Sequence, residues 1–136
     1  MLPALWGSTL WNFLHAFSDR VGRGPAITRA DETREALWLV DHLEAVIPCK
    51  YCREHWHTYR RSHPGLPTAE WMFTAHNAVN RTLGKPELEI CPPAAAPREA
   101  WGAYTSILKE SLTRGYLKGV LVSEFSHHVR LWSSFS

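Results

Sequence analysis

The strongest constraint on this chain is the spacing of its apolar residues, which recur at three- and four-residue intervals nearly throughout. That period puts one buried stripe on each of several helices and leaves little of the chain for a sheet. Trp6, Leu10, Phe13, Leu14 and Phe17 form the first stripe, and Gly22, Gly24 and Pro25 end it in a loop. Thr28 and Asp31 resemble a capping box opening a second helix, with Ala36, Leu37, Val40, Leu43 and Ile47 on its buried side. Pro48 breaks the chain and starts a third helix that runs to about Ser62. Breakers crowd His63-Pro64-Gly65-Leu66-Pro67, which reads as a turn. Thr68 is placed to cap a fourth helix, with Glu70 in its first turn and Met72, Ala75, His76, Val79 and Leu83 on one face. Gly84 and Pro86 stop it. Cys91 to Pro97 reads as an extended connector, and Pro97 suits the first turn of a fifth helix. Trp101, Tyr104, Leu108 and Leu112 mark the inner side of that helix. From Leu117 to Phe135, Leu117, Val120, Leu121 and Phe125 favour another helix, although Gly115 and Gly119 weaken it and the run Val120-Leu121-Val122 would also suit a strand. The expectation is a small all-α bundle with short turns.

With 136 residues the chain is long enough for one domain with a real core. Charged residues are 21% and the formal net charge is +2, without a long basic block, which gives no argument for nucleic acid. No apolar run approaches the length of a membrane span. The start, Met1-Leu2-Pro3-Ala4-Leu5-Trp6-Gly7, lacks the basic and apolar regions of a secretory signal, so the expected location is cytoplasmic. Three cysteines are too few for a disulfide-dense secreted scaffold, and one close pair with one left over suits a redox or metal role.

That pair is Cys49 and Cys52, in Pro48-Cys49-Lys50-Tyr51-Cys52-Arg53-Glu54-His55. Two thiols three residues apart can close a small ring and pass two electrons. A helix beginning after Pro48 sets Cys49 at its N-terminus, where free backbone N–H groups and the helix dipole favour thiolate. Lys50 and Arg53 add positive charge, and a low-pKa thiol beside a partner thiol is what thiol–disulfide exchange needs. Zinc is an alternative, with Cys49, Cys52 and His55 as ligands, yet no second cluster supplies the fourth. A third alternative is a pair of thiols that only staples a helix start. A second constellation is His76-Asn77-Ala78-Val79-Asn80-Arg81-Thr82-Leu83-Gly84-Lys85-Pro86, in which His76 and Asn80 share a helix face. Its polar groups suit either a satisfied buried network or a polar aromatic ligand. A third is Trp6-Gly7-Ser8-Thr9-Leu10-Trp11-Asn12-Phe13-Leu14-His15. There Gly7 permits close backbone approach, and Trp11 and His15 share a face.

Taken in this order on a helical chain, the three motifs resemble the Erv/ALR family of FAD-linked sulfhydryl oxidases over residues 6 to 101. The resemblance implies a single oxidase domain over 1–136, with a core at about 6–101 and a C-terminal extension at 102–136. It implies a four-helix bundle holding FAD, with a fifth helix alongside and a helical tail. It makes Cys52 the flavin-proximal sulfur and Cys49 the sulfur that exchanges with a protein thiol substrate, with oxygen as the final acceptor and hydrogen peroxide as product. It assigns FAD contacts to Gly7, Ser8, Trp11, His15, His55, His76, Asn77, Val79, Asn80, Lys85 and Trp101, with Lys85 facing the negative part of the cofactor. No resident metal is implied.

The resemblance also implies homodimers formed through the first helices, for which Trp6, Phe17 and Trp38 could supply an aromatic contact or equally be internal. A small thioredoxin-like carrier is the implied thiol donor. The chain departs from the family pattern where a second, structural disulfide is expected. Cys91 stands near one of its positions but Arg60 stands near the other, which makes Cys91 a free thiol. No extra cysteine pair serves as a shuttle, so substrate would be oxidised directly at Cys49. Such three-cysteine forms with long tails resemble oxidases encoded by large cytoplasmic DNA viruses, which places the chain in host cytoplasm or a virion.

Overall fold

A computed structural model describes residues 3–136. It contains six α-helices and no strand among the described residues, as the apolar period predicts. They are α1 (Pro3–Arg20), α2 (Arg29–Asp41), α3 (Lys50–Ser62), α4 (Ala69–Thr82), α5 (Pro97–Thr113) and α6 (Gly119–Phe135), with short 3₁₀ turns at Ala26–Thr28 and Leu43–Val46. The helix α1 is the central element: α4 and α5 pack against it, while α6 lies on α2 and on the 43–46 turn. The stripe from Trp6 to Phe17 is buried as expected. The ambiguous tail is a full helix whose buried side is Val122, Phe125, Val129 and Trp132.

Three local expectations are corrected. The second helix does not run to Ile47; it ends at Asp41 and a 3₁₀ turn follows. The Val40 carbonyl, one of the last four that a helix cannot satisfy itself, accepts instead from the Trp56 indole N–H at 3.1 Å. The 3₁₀ turn re-aims Leu43 and Val46 into the core, where Tyr104 donates to the Val46 carbonyl at 2.5 Å. Thr28 makes no side-chain cap on α2. Its hydroxyl donates to the Phe135 carbonyl at 2.8 Å and so ties down the end of α6. Leu112 is 36% exposed, and Ser111, fully buried, continues the inner side of α5 after Tyr104 and Leu108.

Other signals hold. Thr68 caps α4, accepting from the Trp71 N–H at 3.3 Å. After α4, Gly84 takes a φ of 71°, and the Lys85 N–H bonds back to the Asn80 carbonyl at 2.8 Å. This is a Schellman ending, and the positive φ explains the glycine. Arg60, where the resemblance expects half of a disulfide, is buried. Its Nε donates to Asp41 at 2.7 Å, its Nη1 reaches the Gly65 carbonyl at 2.8 Å, and the guanidinium lies over Trp71. One side chain thus joins the end of α2, the 63–67 turn and α4.

Trp6 and Phe17 take the internal alternative, while Trp38 is only half-buried. Trp6 and Phe17 are buried, and Phe17 meets Trp132 edge-on at 4.8 Å. Trp38 is stacked between His42 and His128.

Candidate active site

Buried Pro48 delivers the chain to α3 so that Cys49 is its N-cap, with φ −151° and ψ 117°. The Cys49 Sγ accepts from the Cys52 N–H at 3.3 Å, using one of the orphan donors of the first turn. Arg53 anchors the same turn by donating to the Ile47 carbonyl at 2.8 Å. Cys49, Cys52 and Cys91 are all free thiols; Cys91 is exposed and the pair is half-buried. Burial first, then the hydrogen bond and charge of Cys49, push the Cys52 thiol up to about 12. In this reduced form Cys52 therefore keeps its proton at neutral pH.

Cys52 lines a cavity of about 740 Å³, within the range of about 300–1,000 Å³ typical of ligand sites. Helix α1 contributes Gly7, Ser8, Trp11 and His15; α3 contributes His55; α4 contributes His76, Val79 and Asn80; the segment after α4 contributes Lys85. These are ten of the predicted site residues when Cys52 is counted, brought to one space from four stretches of chain. Cys49, Asn77 and Trp101 do not line it. Cys49 sits at the helix start. Asn77 is turned away and bonds the backbone of Leu88. Trp101 packs among Phe13, Tyr104 and Phe125 in the core.

Sequence reading missed Trp6, Leu43, Ile47, Tyr51 and Trp56, which also line the cavity. Their helical spacing marked Trp6, Leu43 and Ile47 as core. A core stripe and a cavity wall carry the same sequence signal, because both are apolar surfaces facing inward.

The cavity's polar groups are incompletely partnered. His15 Nε2 and His76 Nδ1 are 2.7 Å apart, and Trp11 stacks on His76 with ring centres 3.9 Å apart. Burial lowers both imidazoles; His76 falls to about 4, with His15 and Lys85 as lesser causes. Two neutral rings share one hydrogen bond, and His15 Nδ1 is left buried without a partner. If His15 donates through Nε2, its Nδ1 is a lone pair wanting a donor; if His76 donates, His15 Nδ1 carries a hydrogen wanting an acceptor. Either way the His15–His76 pair leaves one buried ring nitrogen without a partner among the described residues. Gly7 sits inside α1, where glycine costs about 1 kcal/mol against alanine, and a Cβ built there meets nothing within 4 Å. Protein packing does not require glycine at that position, whereas a flat ligand against the helix would. The residues fit the dinucleotide that the resemblance implies. They do not fit zinc as well: His55 faces the Thr82 hydroxyl at 3.1 Å, and no group of three His, Cys, Asp or Glu among the described residues is gathered to hold a metal.

The family model described as Erv1 / Alr family matches residues 8–101. The chain belongs to the Erv1/Alr family. Among relatives, FAD-linked sulfhydryl oxidase ERV1 of Arabidopsis thaliana is 29% identical over 84 residues, covering 58% of this chain and 42% of the plant protein. The chain thus spans well under half the length of that relative. FAD-linked sulfhydryl oxidase of African swine fever virus (isolate Pig/Kenya/KEN-50/1950) is 28% identical over 115 residues, covering 80% of this chain and 84% of the viral protein. The putative FAD-linked sulfhydryl oxidase 347L of Invertebrate iridescent virus 6 is 25% identical and is covered over 94% of its length. The African swine fever virus relative is thus matched over a larger share of this chain than the residues 8–101 that the family model spans. No solved structure matches the chain. No described helix is long and apolar enough to cross a membrane.

Proposed function

We propose that this chain is an FAD-linked sulfhydryl oxidase that makes disulfides in protein substrates. The observation that carries this reading is that Cys52 opens into the same cavity as His15, His76, Asn80 and Lys85, while its partner Cys49 stays outside it. The pair thus has one sulfur toward a cofactor and one toward substrate. Gly7, Ser8, Trp11, His15, His55, His76, Val79 and Asn80 would hold FAD, and exposed Lys85 suits its negatively charged part. When bound, FAD supplies the two-electron acceptor and the reaction with oxygen, with peroxide as product.

The protein's own steps follow from sulfur chemistry. A substrate thiolate attacks Cys49 Sγ of the oxidised pair; the Cys49–Cys52 bond breaks and Cys52 leaves with the electron pair. A second substrate thiolate then attacks the substrate sulfur of the mixed disulfide and releases Cys49. Two substrate thiols become a disulfide, and the pair becomes the dithiol seen here. Cys49 at the N-cap is the sulfur placed for exchange, since backbone donors face it. Cys52 is the sulfur that opens into the cavity, where bound FAD would cover it. A thioredoxin-like protein carrier is the class of substrate that a half-buried Cys49 outside the cavity would accept without a shuttle pair. Host cytoplasm or a virion is the setting that the viral relatives suggest. Pairing of two copies would use surfaces other than the buried rings of Trp6 and Phe17.

The test is peroxide release and oxygen uptake with dithiothreitol and with a reduced protein dithiol. The parent is expected to turn over, and a Cys49→Ser, Cys52→Ser double variant is expected to be inactive. Equal rates in the two would overturn the proposal.

A further inference from the structure

The segment between α4 and α5 has no regular secondary structure from Leu83 to Ala96, yet it forms one wall of the cavity. Lys85, Pro86, Leu88, Pro92 and Pro93 all line that wall. A long irregular stretch beside a site needs something to hold it, because its backbone makes few bonds of its own. Here its first turn is held by the Lys85 N–H bond to Asn80 and by an ion pair between Arg81 and Glu87. The exposed Arg81–Glu87 pair contributes little. The buried attachment is Asn77. Its Oδ1 accepts from the Leu88 N–H at 2.6 Å, and its Nδ2 donates to the Leu88 carbonyl at 3.1 Å. A side-chain amide meeting both polar groups of one residue copies a strand pairing and fixes that residue's position and orientation. Asn77 itself is buried and does not reach the cavity.

We propose that Asn77 is a positioning residue: it pins a strap, residues 83–96, in the closed position that completes the cavity wall, and it acts on the cofactor only through Leu88. This deepens the FAD reading and rests on it for the consequence, but not for the pin itself. It also changes the role that the motif suggested for Asn77, from ligand contact to latch. Beyond Leu88, exposed Ile90 and the free thiol of Cys91 continue the strap, so its outer half lacks the buried apolar anchoring of a helix.

The experiment reads the Leu88 amide directly. Hydrogen exchange is measured without FAD in the parent, in Asn77→Ala and in Asn77→Asp, and FAD release is followed by flavin fluorescence in the same proteins. Asn77→Ala is expected to speed exchange at Leu88 by about ten- to a hundred-fold, the equivalent of losing a buried bond pair, while the α1 amides stay protected. FAD release is expected to accelerate by a similar factor. Asn77→Asp keeps the acceptor for the Leu88 N–H and is expected to fall between. Leu88→Ala keeps the backbone pin but trims the wall, so its FAD release rises with the Leu88-site amide still protected. Unchanged Leu88 exchange in Asn77→Ala would overturn the pin. Freed Leu88 with unchanged FAD release would overturn its action on the cofactor. Leu88 freed in Asn77→Ala, with a parent that takes up no FAD, would leave the pin standing and remove the cofactor reading instead.

Discussion

Two of the places where polar side chains are buried in this molecule are completed in opposite ways. In the seam between α2 and α6, Glu32 is fully buried and accepts from the Gly22 N–H and the Trp132 indole, each at 2.7 Å. Beside it, Glu35 meets His128 at 2.5 Å, and the His128 ring stacks on Trp38. In the cavity, His15 Nδ1 is the one buried side-chain polar atom without a partner among the described residues, and Gly7 faces open space. Buried polar groups in folded proteins are almost always satisfied. The seam is finished by the chain alone, whereas the cavity wall holds a buried polar atom that no other described residue completes. The difference separates what keeps this protein folded from what lets it work.

Substitutions on the two sides should therefore fail differently. The largest effect is expected for Cys52→Ser, which removes the only cavity-facing sulfur of the pair. Thiol-dependent oxygen uptake should fall to the uncatalysed background while bound FAD and melting temperature change little. On the seam side, Glu32→Ala strands two donors and should cost about 2–5 kcal/mol, read as a lower urea midpoint. Glu32→Gln keeps one acceptor oxygen and should cost less. Neither should change the FAD dissociation constant of the folded fraction. Turnover lost without loss of stability in Glu32→Ala would break the separation.

The cavity should show itself through pH. His76 is held at about 4 in the folded chain, below its ordinary value near 6.5, and His15 is lowered in the same direction. The unfolded chain binds these protons first as pH falls. The contribution is thus fully present above about pH 6.5 and is lost between there and about pH 4. Urea midpoints of the FAD-free protein should decline over that window, and His76→Phe should flatten the decline. An unaltered profile in His76→Phe would show that the histidines are not the source.

The smallest effect has the most telling sign. Gly7→Ala should stabilise the FAD-free protein by about 0.5–1 kcal/mol, because a Cβ there meets no protein atom and alanine favours helix. The same methyl should weaken FAD binding. A gain without ligand combined with a loss with ligand would mark Gly7 as a contact surface.

The fold was largely legible because helix stripes and stop signals act locally. The Thr68 cap, the Gly84 stop and the Cys49 position at the head of α3 all follow from residues within a few places of one another. The corrections come from distant partners. Trp56 takes the Val40 carbonyl and ends α2 early, and Phe135 takes the hydroxyl of Thr28 across 107 positions. Trp101 does not line the cavity, and it packs half-buried against the core beside Phe125 of α6. The site was legible where motif residues share a helix face, as with His76 and Asn80. Asn77, one step round the same helix, does not line the cavity and meets a loop backbone that carries no sequence signal of its own.

The account depends most on a flavin seated in the cavity beside Cys52. The visible absorption of the purified chain, with FAD quantified after release, tests this most directly. A yellow protein carrying equimolar FAD is expected, together with loss of that FAD in a Gly7→Leu variant that keeps its helical circular dichroism. A colourless parent that takes up no added FAD would contradict it.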